Sequence, residues 1–359
     1  MTKPLLIIAL LSLNAFPAHA CTCFVLETDD GLFFGRNYDW HLDQGLIVVN
    51  KRHLQKTAVF RGREDKAAQW TAQYGSVTFN QYGREFPLGG INEAGLVVEV
   101  MWLETTEYPP VDSRPAVMEL QWVQYHLDTC ASVAEVLATD EHLRITMDTQ
   151  APLHFLVCDD KGAVATIEFI KGKRVVHTGN KLSVPVLANS PYRPSQRYIK
   201  RLKPWGGTQA LDRQSRSSLD RFACAAQCVQ DYSQQKKTRP LDYAFNTLEA
   251  VNAGEATKFR IVYEATQKKI SYTTYQHPQR RHLNLADCDF DPQTPTQILQ
   301  INTPHNGDLK EHLFAYDLEI NRKLILHTCR HTEITQNIPM AKLNELAAYP
   351  ETLKAVASD

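Results

Sequence analysis

The sequence predicts a mixed α+β protein with antiparallel sheets. Short β-rich runs are joined in pairs by tight turns, which is typical of hairpins. Strands and helices come in blocks and do not alternate in a βαβ rhythm, so a parallel sheet is disfavoured. No internal repeat or linker interrupts the 359 residues. Residues 21–359 are therefore predicted to form a single domain.

The first hairpin is predicted to join residues 22–26 to residues 32–38 through an Asp-Asp-Gly turn. Its second strand returns antiparallel to the first. We therefore expect Arg36 and Asp39, at the far end of that strand, to lie beside Cys21.

The remaining elements follow from periodicity and turn residues. Further strands are predicted at residues 46–49, 58–60, 75–79, 96–103, 154–158, 164–169, 174–177, 184–188, 259–264 and 270–275. The composition of residues 89–95 predicts a turn. Helices are predicted at residues 114–127, 133–142, 194–202, 217–231, 241–251 and 340–347, the second opened by a capping box at Ser132.

Residues 1–20 have the composition of a secretory signal peptide. Lys3 supplies the positive charge, an apolar run follows, and an A-x-A cleavage site ends at Ala20. Cleavage there would make Cys21 the first residue of a periplasmic or secreted protein. Two alternatives stay open: a junction that precedes a cysteine by accident, and a lipoprotein anchored through Cys21. Ala18 fits the second poorly, because lipoprotein leaders favour a large aliphatic residue there.

Composition excludes several classes of partner. The chain has 39 basic and 40 acidic residues, so nothing in its net charge points to nucleic acid or anionic lipid. A hydrophobic content of 43% and a charged content of 22% are ordinary for a soluble globular protein. No apolar run after the leader approaches the roughly 20 residues of a membrane span.

The cysteines and metal-binding patterns are less informative. Seven of the eight cysteines remain when Cys21 is set aside, so at least one more should be free, and the pairing of the rest stays open. Cys224 and Cys228 share a helix face, where buried thiols are favoured over a zinc site. No metalloprotease, nucleotide-binding or serine-hydrolase motif occurs, and we expect no metal or cofactor.

An N-terminal cysteine carries both a thiol and a free α-amine. With a pKa of about 7.7–8.0, that amine is a usable general base for its own thiol. Arg36 is expected to lower the thiol pKa, and Asp39 to hold the ammonium form of the amine. The alternative for Arg36 and Asp39 is an exposed surface ion pair.

Two further polar residues could belong to the same site. Asn189 precedes a Ser-Pro turn, where it either caps the turn or donates to a developing oxyanion. Arg221 lies in a predicted helix, where a solvated side chain is the alternative. Chemistry alone leaves both choices open.

Five segments together carry a family resemblance: residues 21–22, 35–39, 90–96, 188–191 and 221–222. In this order they resemble the choloylglycine hydrolase and penicillin V acylase family of N-terminal-nucleophile hydrolases. The resemblance implies a four-layer αββα sandwich with two antiparallel sheets, often assembled as a homotetramer. It also implies an amidohydrolase that acts on linear, non-peptide amides.

The resemblance also implies roles for individual residues. Cys21 matches the nucleophile, Arg36 and Asp39 the residues that poise it, Asn189 the oxyanion donor and Arg221 the arginine that steadies the site. The family position ten residues after Asn92 borders the oxyanion hole and is often polar. Trp102 stands there instead, so at most its backbone N–H could serve.

Trp40 and Trp102 bear on the substrate, a small-molecule acyl amide. If both lie at the site, two indoles could hold an aromatic or long acyl group, although core packing is the ordinary role of a strand tryptophan. Together with the leader, this resembles the periplasmic penicillin V acylases of Gram-negative bacteria, some of which are associated with N-acyl homoserine lactones. Conjugated bile salt hydrolysis and a non-catalytic binding protein are the alternatives.

Overall fold

The computed structural model describes residues 21–60, 65–235 and 238–356. The predicted leader, residues 1–20, lies outside the described residues. The strands are β1 Thr22–Thr28, β2 Gly31–Asp39, β3 Leu46–Asn50, β4 Leu54–Thr57, β5 Gln69–Thr71, β6 Ser76–Asn80, β7 Gly89–Asn92, β8 Val97–Trp102, β9 Ala116–Met118, β10 Arg144–Thr146, β11 Leu153–Cys158, β12 Val164–Ile170, β13 Lys173–Thr178, β14 Val186–Leu187, β15 Thr257–Glu264, β16 Lys269–Thr274, β17 Arg281–Asn284, β18 Gln297–Gln300, β19 Gly307–Asp308, β20 Phe314–Ala315 and β21 Lys354–Ala355. The α-helices are α1 Glu119–Thr129, α2 Val133–Ala138, α3 Tyr192–Ile199, α4 Ser218–Gln235, α5 Pro240–Ala250, α6 Leu318–Arg330 and α7 Met340–Ala348.

Two large sheets organise these strands. The first sheet has the order β14-β1-β2-β15-β16-β17-β19, and the second has the order β13-β12-β11-β8-β7-β6-β3-β18-β20. Neighbouring strands in both are antiparallel except β17 and β19. Two smaller assemblies, β9 with β10 and β21-β4-β5, lie outside them.

The two sheets pack face to face, and helices cover their outer faces. Phe79 of the second sheet meets Tyr263 and Tyr272 of the first edge-on, with ring centroids 6.2 and 5.6 Å apart. Helices α4 and α5 pack on β1 and β2, whereas α1 packs on β7 and β8. The predicted α+β class and the four-layer αββα sandwich are confirmed.

The predicted first hairpin is confirmed, and its register sets the geometry of the site. Cys23 pairs with Arg36 across β1 and β2, and Thr22 pairs with Asn37. The turn needs Gly31, whose φ of +103° is a conformation that side chains disfavour. Arg36 and Asp39 therefore arrive at the end of the sheet where Cys21 precedes β1.

Some predicted elements are wrong or displaced. Residues 58–60 are not a strand, since β4 ends at Thr57. Residues 89–92 form β7, so only the later part of the predicted turn at residues 89–95 is confirmed. The predicted helix at residues 114–127 begins only at Glu119, after β9. The capping box is confirmed: Ser132 accepts a hydrogen bond from the Glu135 backbone N–H at 3.3 Å, although α2 ends at Ala138.

Helix α6 was missing from the sequence prediction. Its buried face mixes apolar Leu324 and Ile325 with polar Asn321 and Thr328, which hides the helical periodicity. Leu324 packs against Leu46 of β3 in the second sheet. The predicted helix at residues 340–347 is confirmed as α7.

All eight cysteines are described and none forms a disulfide. No helix in the described part of the chain combines the length and apolarity that crossing a membrane requires.

Candidate active site

Cys21 lies directly before β1, at the end of the first sheet, and is 4% exposed. Its Sγ is 3.9 Å from the backbone oxygen of Asp39. The hairpin therefore brings the thiol and the end of β2 together, as the sequence predicts.

Arg221 connects the predicted site residues directly. It lies in the first turn of α4, which packs on β1, and is 2% exposed. One terminal nitrogen donates to the Cys21 carbonyl at 2.7 Å and to Thr22 Oγ1 at 2.6 Å. The other donates to Asn189 Oδ1 at 2.8 Å. The exposed alternative for Arg221 is wrong: its guanidinium fixes Cys21 and Asn189 relative to each other.

Asn189 follows β14, and every polar atom of its side chain is engaged. With Oδ1 held by Arg221, its Nδ2 must face the second sheet, where it donates to the Trp102 carbonyl at 2.8 Å. Its backbone N–H donates to Ser218 Oγ at 2.9 Å. An amide nitrogen has two hydrogens and the contact with Trp102 uses one. That leaves one N–H of Nδ2 for a further acceptor.

The segment before Asn189 is held by a buried pair that sequence reasoning missed. His154 Nε2 donates to the Ala188 carbonyl at 2.7 Å. Glu168 Oε1 lies 3.5 Å from His154 Nδ1 and accepts from the Tyr192 backbone N–H at 2.8 Å. Both side chains are fully buried, so they fix the backbone on either side of Asn189.

Asp39 ends β2 with its carboxyl 1% exposed. Its Oδ1 accepts a hydrogen bond from Thr257 Oγ1 at 2.5 Å. Its Oδ2 has no hydrogen-bond partner among the described residues. Burial raises the pKa of Asp39 to about 6, although Arg221 and the Thr257 hydrogen bond oppose the shift. An unpartnered buried carboxylate oxygen suits a positively charged neighbour.

Arg36 is also buried, at 1% exposure, so the surface-pair alternative is wrong. Its guanidinium forms an ion pair with Glu99 of β8 and donates to the Leu88 carbonyl at 3.2 Å. Glu99 is 0% exposed and also accepts from Tyr263 Oη at 2.6 Å. Glu99 was missed, although a carboxylate inside an otherwise apolar strand was a signal.

The space for the Glu99 carboxylate explains why position 89 of β7 is glycine. A Cβ at Gly89 would lie 2.1 Å from that carboxylate. Asn92, at the end of β7, serves the fold: its amide donates to the Leu127 and Cys130 carbonyls at 2.9 and 2.7 Å. The resemblance segment at residues 90–96 therefore builds the turn between β7 and β8.

Arg36 lowers the pKa of the Cys21 thiol as expected, but it does not decide the net direction of the shift. Burial raises the pKa of the Cys21 thiol above its ordinary value and outweighs Arg36 and Arg221, which lower it. Arg36 already has Glu99 as its counter-charge. The thiol is therefore neutral at neutral pH and needs a base to become a nucleophile.

A mostly apolar cavity, open to solvent, adjoins the thiol. Trp40 and Trp102 both line it, with ring centroids 6.2 Å apart. Such a lining is typical of small-molecule sites. The other apolar lining residues are Tyr38, Tyr82, Leu88, Val100, Met101, Leu120, Ala151, Leu153 and Ile334.

The structure thus brings all seven predicted site residues to one place. It offers a buried thiol, an amide donor beside it, two arginines, a carboxyl and an apolar cavity. Within residues 21–60, 65–235 and 238–356, no group of three or more His, Cys, Asp or Glu side chains is arranged to hold a metal ion. This donor set suits acyl transfer to sulfur.

The fold and this site define the class: a four-layer αββα protein whose buried cysteine site suits acyl transfer. The family model for linear amide C–N hydrolases of the choloylglycine hydrolase family matches residues 21–298. The chain therefore belongs to the choloylglycine hydrolase family, and it is a linear amide C–N hydrolase.

Individual relatives are consistent with this assignment. A penicillin V acylase of Pectobacterium atrosepticum is 29% identical over 278 residues, which are 71% of this chain and 72% of that protein. The structure of a penicillin V acylase from Agrobacterium tumefaciens shares the fold with a TM-score of 0.69 at 24% identity, covering 83% of this chain and 98% of that one. A variant of conjugated bile acid hydrolase from Clostridium perfringens gives a TM-score of 0.64 at 18% identity, covering 80% and 98%.

Proposed function

We propose that Cys21 is the nucleophile of an N-terminal-nucleophile amidohydrolase that cleaves amides with an apolar acyl group. The observation that carries this proposal is the position of Arg221. Its guanidinium contacts the Cys21 carbonyl and the Asn189 side chain at once. A thiol and an oxyanion donor are thereby held in a fixed relation, as acyl transfer requires.

The proposed base is the α-amine of Cys21, which exists only once residues 1–20 have been removed. We therefore include cleavage after Ala20, and export of the mature chain, in the proposal. The unpartnered Oδ2 of Asp39 supports it, because a buried carboxylate oxygen can hold the ammonium that forms when the amine takes a proton.

The reaction then proceeds in two halves. The α-amine takes the thiol proton while sulfur attacks the amide carbonyl, and the free N–H of Asn189 Nδ2 donates to the oxyanion. Collapse breaks the carbon–nitrogen bond, and the α-ammonium gives its proton to the departing amine. Water, activated by the α-amine, hydrolyses the thioester and restores the thiol. Since the thiol pKa is raised, the thiol must give its proton to the base before or during attack.

The cavity supports a particular class of substrate. Trp40 and Trp102 form an aromatic wall beside the thiol, which favours an aromatic or extended aliphatic acyl group. The phenoxyacetyl group of penicillin V meets this description, and so does the acyl chain of N-acyl homoserine lactones. We propose penicillin V acylase activity first and acyl homoserine lactone acylase activity second. Assembly as a homotetramer is a further prediction, which analytical ultracentrifugation tests.

The test is turnover by the mature wild-type chain and by Cys21→Ala. The panel contains penicillin V, N-acyl homoserine lactones and glycine- or taurine-conjugated bile acids. We expect wild type to release amine from the first two, and Cys21→Ala to be inactive with an unchanged circular dichroism spectrum. Full activity in Cys21→Ala would refute the nucleophile. Bile acids as the best substrates would refute the substrate class. A diacylglyceryl-modified Cys21 in the intact mass would indicate a lipoprotein instead.

A further inference from the structure

The cavity has one wall that lies outside the family's matched region. The family model ends at residue 298, whereas Ile334 and Thr335 line the same cavity as Cys21. Both belong to the turn between α6 and α7, residues 331–338, which we call the C-terminal wall. A part of the acyl cavity is therefore supplied by a segment that family membership does not specify.

The C-terminal wall is fixed to the rest of the molecule on both sides. Asn321 of α6 accepts from the Arg84 backbone N–H at 2.8 Å and donates to the Ala347 carbonyl of α7 at 3.3 Å. After α7, strand β21 pairs with β4. The segment thus has a defined position and can shape a cavity reproducibly.

Contacts also join the wall to the site itself. His41, next to Trp40, donates from Nε2 to the His331 carbonyl at 2.8 Å. Tyr82 lines the cavity and packs against the apolar cluster between α6 and α7. Inside the turn, Thr335 Oγ1 donates to the Cys329 carbonyl at 3.0 Å. This bond holds the residue beside Ile334 in place.

Ile334 differs from the other isoleucine of the wall. Ile334 is half-buried and lines the cavity. Ile338 is 6% exposed and packs inside the cluster formed by Ile325, Cys329 and Leu343. The first can contact an acyl group, whereas the second only stabilises the segment.

We propose that the C-terminal wall selects the acyl group by size, with Ile334 as the residue that limits it. The inference rests on the proposed function, since it concerns the acyl cavity of that site. A smaller side chain at position 334 opens the cavity to longer acyl chains, and a larger one restricts it to shorter chains. One methylene in an apolar pocket changes specificity about 10- to 200-fold.

The experiment measures kcat/KM for a series of N-acyl amides that share one amine and differ only in acyl length. In Ile334→Ala, we expect the ratio of long-chain to short-chain kcat/KM to rise by at least about tenfold. Ile334→Phe should lower the same ratio. Ile338→Ala is the matched control: it should lower the melting temperature and leave the ratio unchanged. An unchanged ratio in both Ile334 variants would overturn the inference.

A second readout keeps the inference separate from the proposed chemistry. Binding of the free carboxylic acids of the same series is measured by calorimetry, which needs no turnover. If wild type cleaves none of the amides, the proposed function fails. The inference about Ile334 is still supported if Ile334→Ala shifts the acyl chain length that binds best. It is overturned if Ile334→Ala and Ile338→Ala bind the series alike.

Discussion

Replacing Arg221 by lysine tests the contact on which the site depends. The guanidinium reaches the Cys21 carbonyl and Thr22 Oγ1 with one nitrogen and Asn189 Oδ1 with the other. A single ammonium keeps the charge but cannot span both partners. Arg221→Lys is therefore expected to keep the Cys21 side of this contact and to release the Asn189 amide.

The size of the effect follows from the donor that is lost. Removing one oxyanion donor costs about 10²–10³ in kcat, and Asn189 is held towards the oxyanion by Arg221. We therefore expect kcat of Arg221→Lys to fall by about 10²–10³. KM should stay within about threefold, because Arg221 contacts the enzyme's own residues and not the acyl group.

The assay is steady-state release of amine from penicillin V, or from the best substrate of the panel, with melting temperatures measured in parallel. Arg281→Lys is the matched control. Arg281 is also fully buried, and among the described residues its hydrogen bonds go to backbone carbonyls, including those of His305 and Thr303 at 2.7 and 2.9 Å. It should lose stability and retain kcat. The reasoning is refuted if Arg221→Lys keeps kcat within about threefold of wild type.

Two further predictions concern the charges around the thiol. Thr257→Val removes a hydrogen bond that lowers the pKa of Asp39, which is already raised to about 6. The acid limb of the pH profile of kcat/KM should therefore move up by about one pH unit. The control is Thr146→Val, which removes a similar hydrogen bond to Asp65 and should leave the acid limb in place. A downward move of the limb in Thr257→Val would contradict its assignment to Asp39. Glu99→Gln leaves Arg36 without its counter-charge, so the pH midpoint of Cys21 alkylation by iodoacetamide should fall, and the melting temperature with it. An unchanged or higher midpoint would show that the Glu99 charge does not act on the thiol.

Sequence reasoning could predict the parts of the site that are close along the chain. A hairpin with a two-strand register is a local structure, so the meeting of Arg36, Asp39 and Cys21 follows from its turn. Arg221 contacts Asn189 and also Cys21, which lies 200 residues away in the sequence. Their proximity was predicted only through the family resemblance, because no local rule places a helix against a strand so distant in sequence.

The residues that were missed depend on how layers pack. Glu99 meets Arg36 only because the second sheet covers the first. Thr257 reaches Asp39 because β15 pairs with β2. The net direction of the thiol pKa shift could not be predicted for the same reason. The hairpin places Arg36 near the thiol, whereas the burial that outweighs it depends on packing.

The role of Cys21 as an N-terminal nucleophile is tested by titrating the active, mature chain with iodoacetamide and mapping the modified residue by mass spectrometry. We expect the N-terminal peptide to begin at Cys21 with a free α-amine. Activity should then be lost in proportion to alkylation of that thiol, and a competing substrate should slow both. An active chain that retains residues before Cys21, or one that keeps its activity with Cys21 fully alkylated, would contradict it.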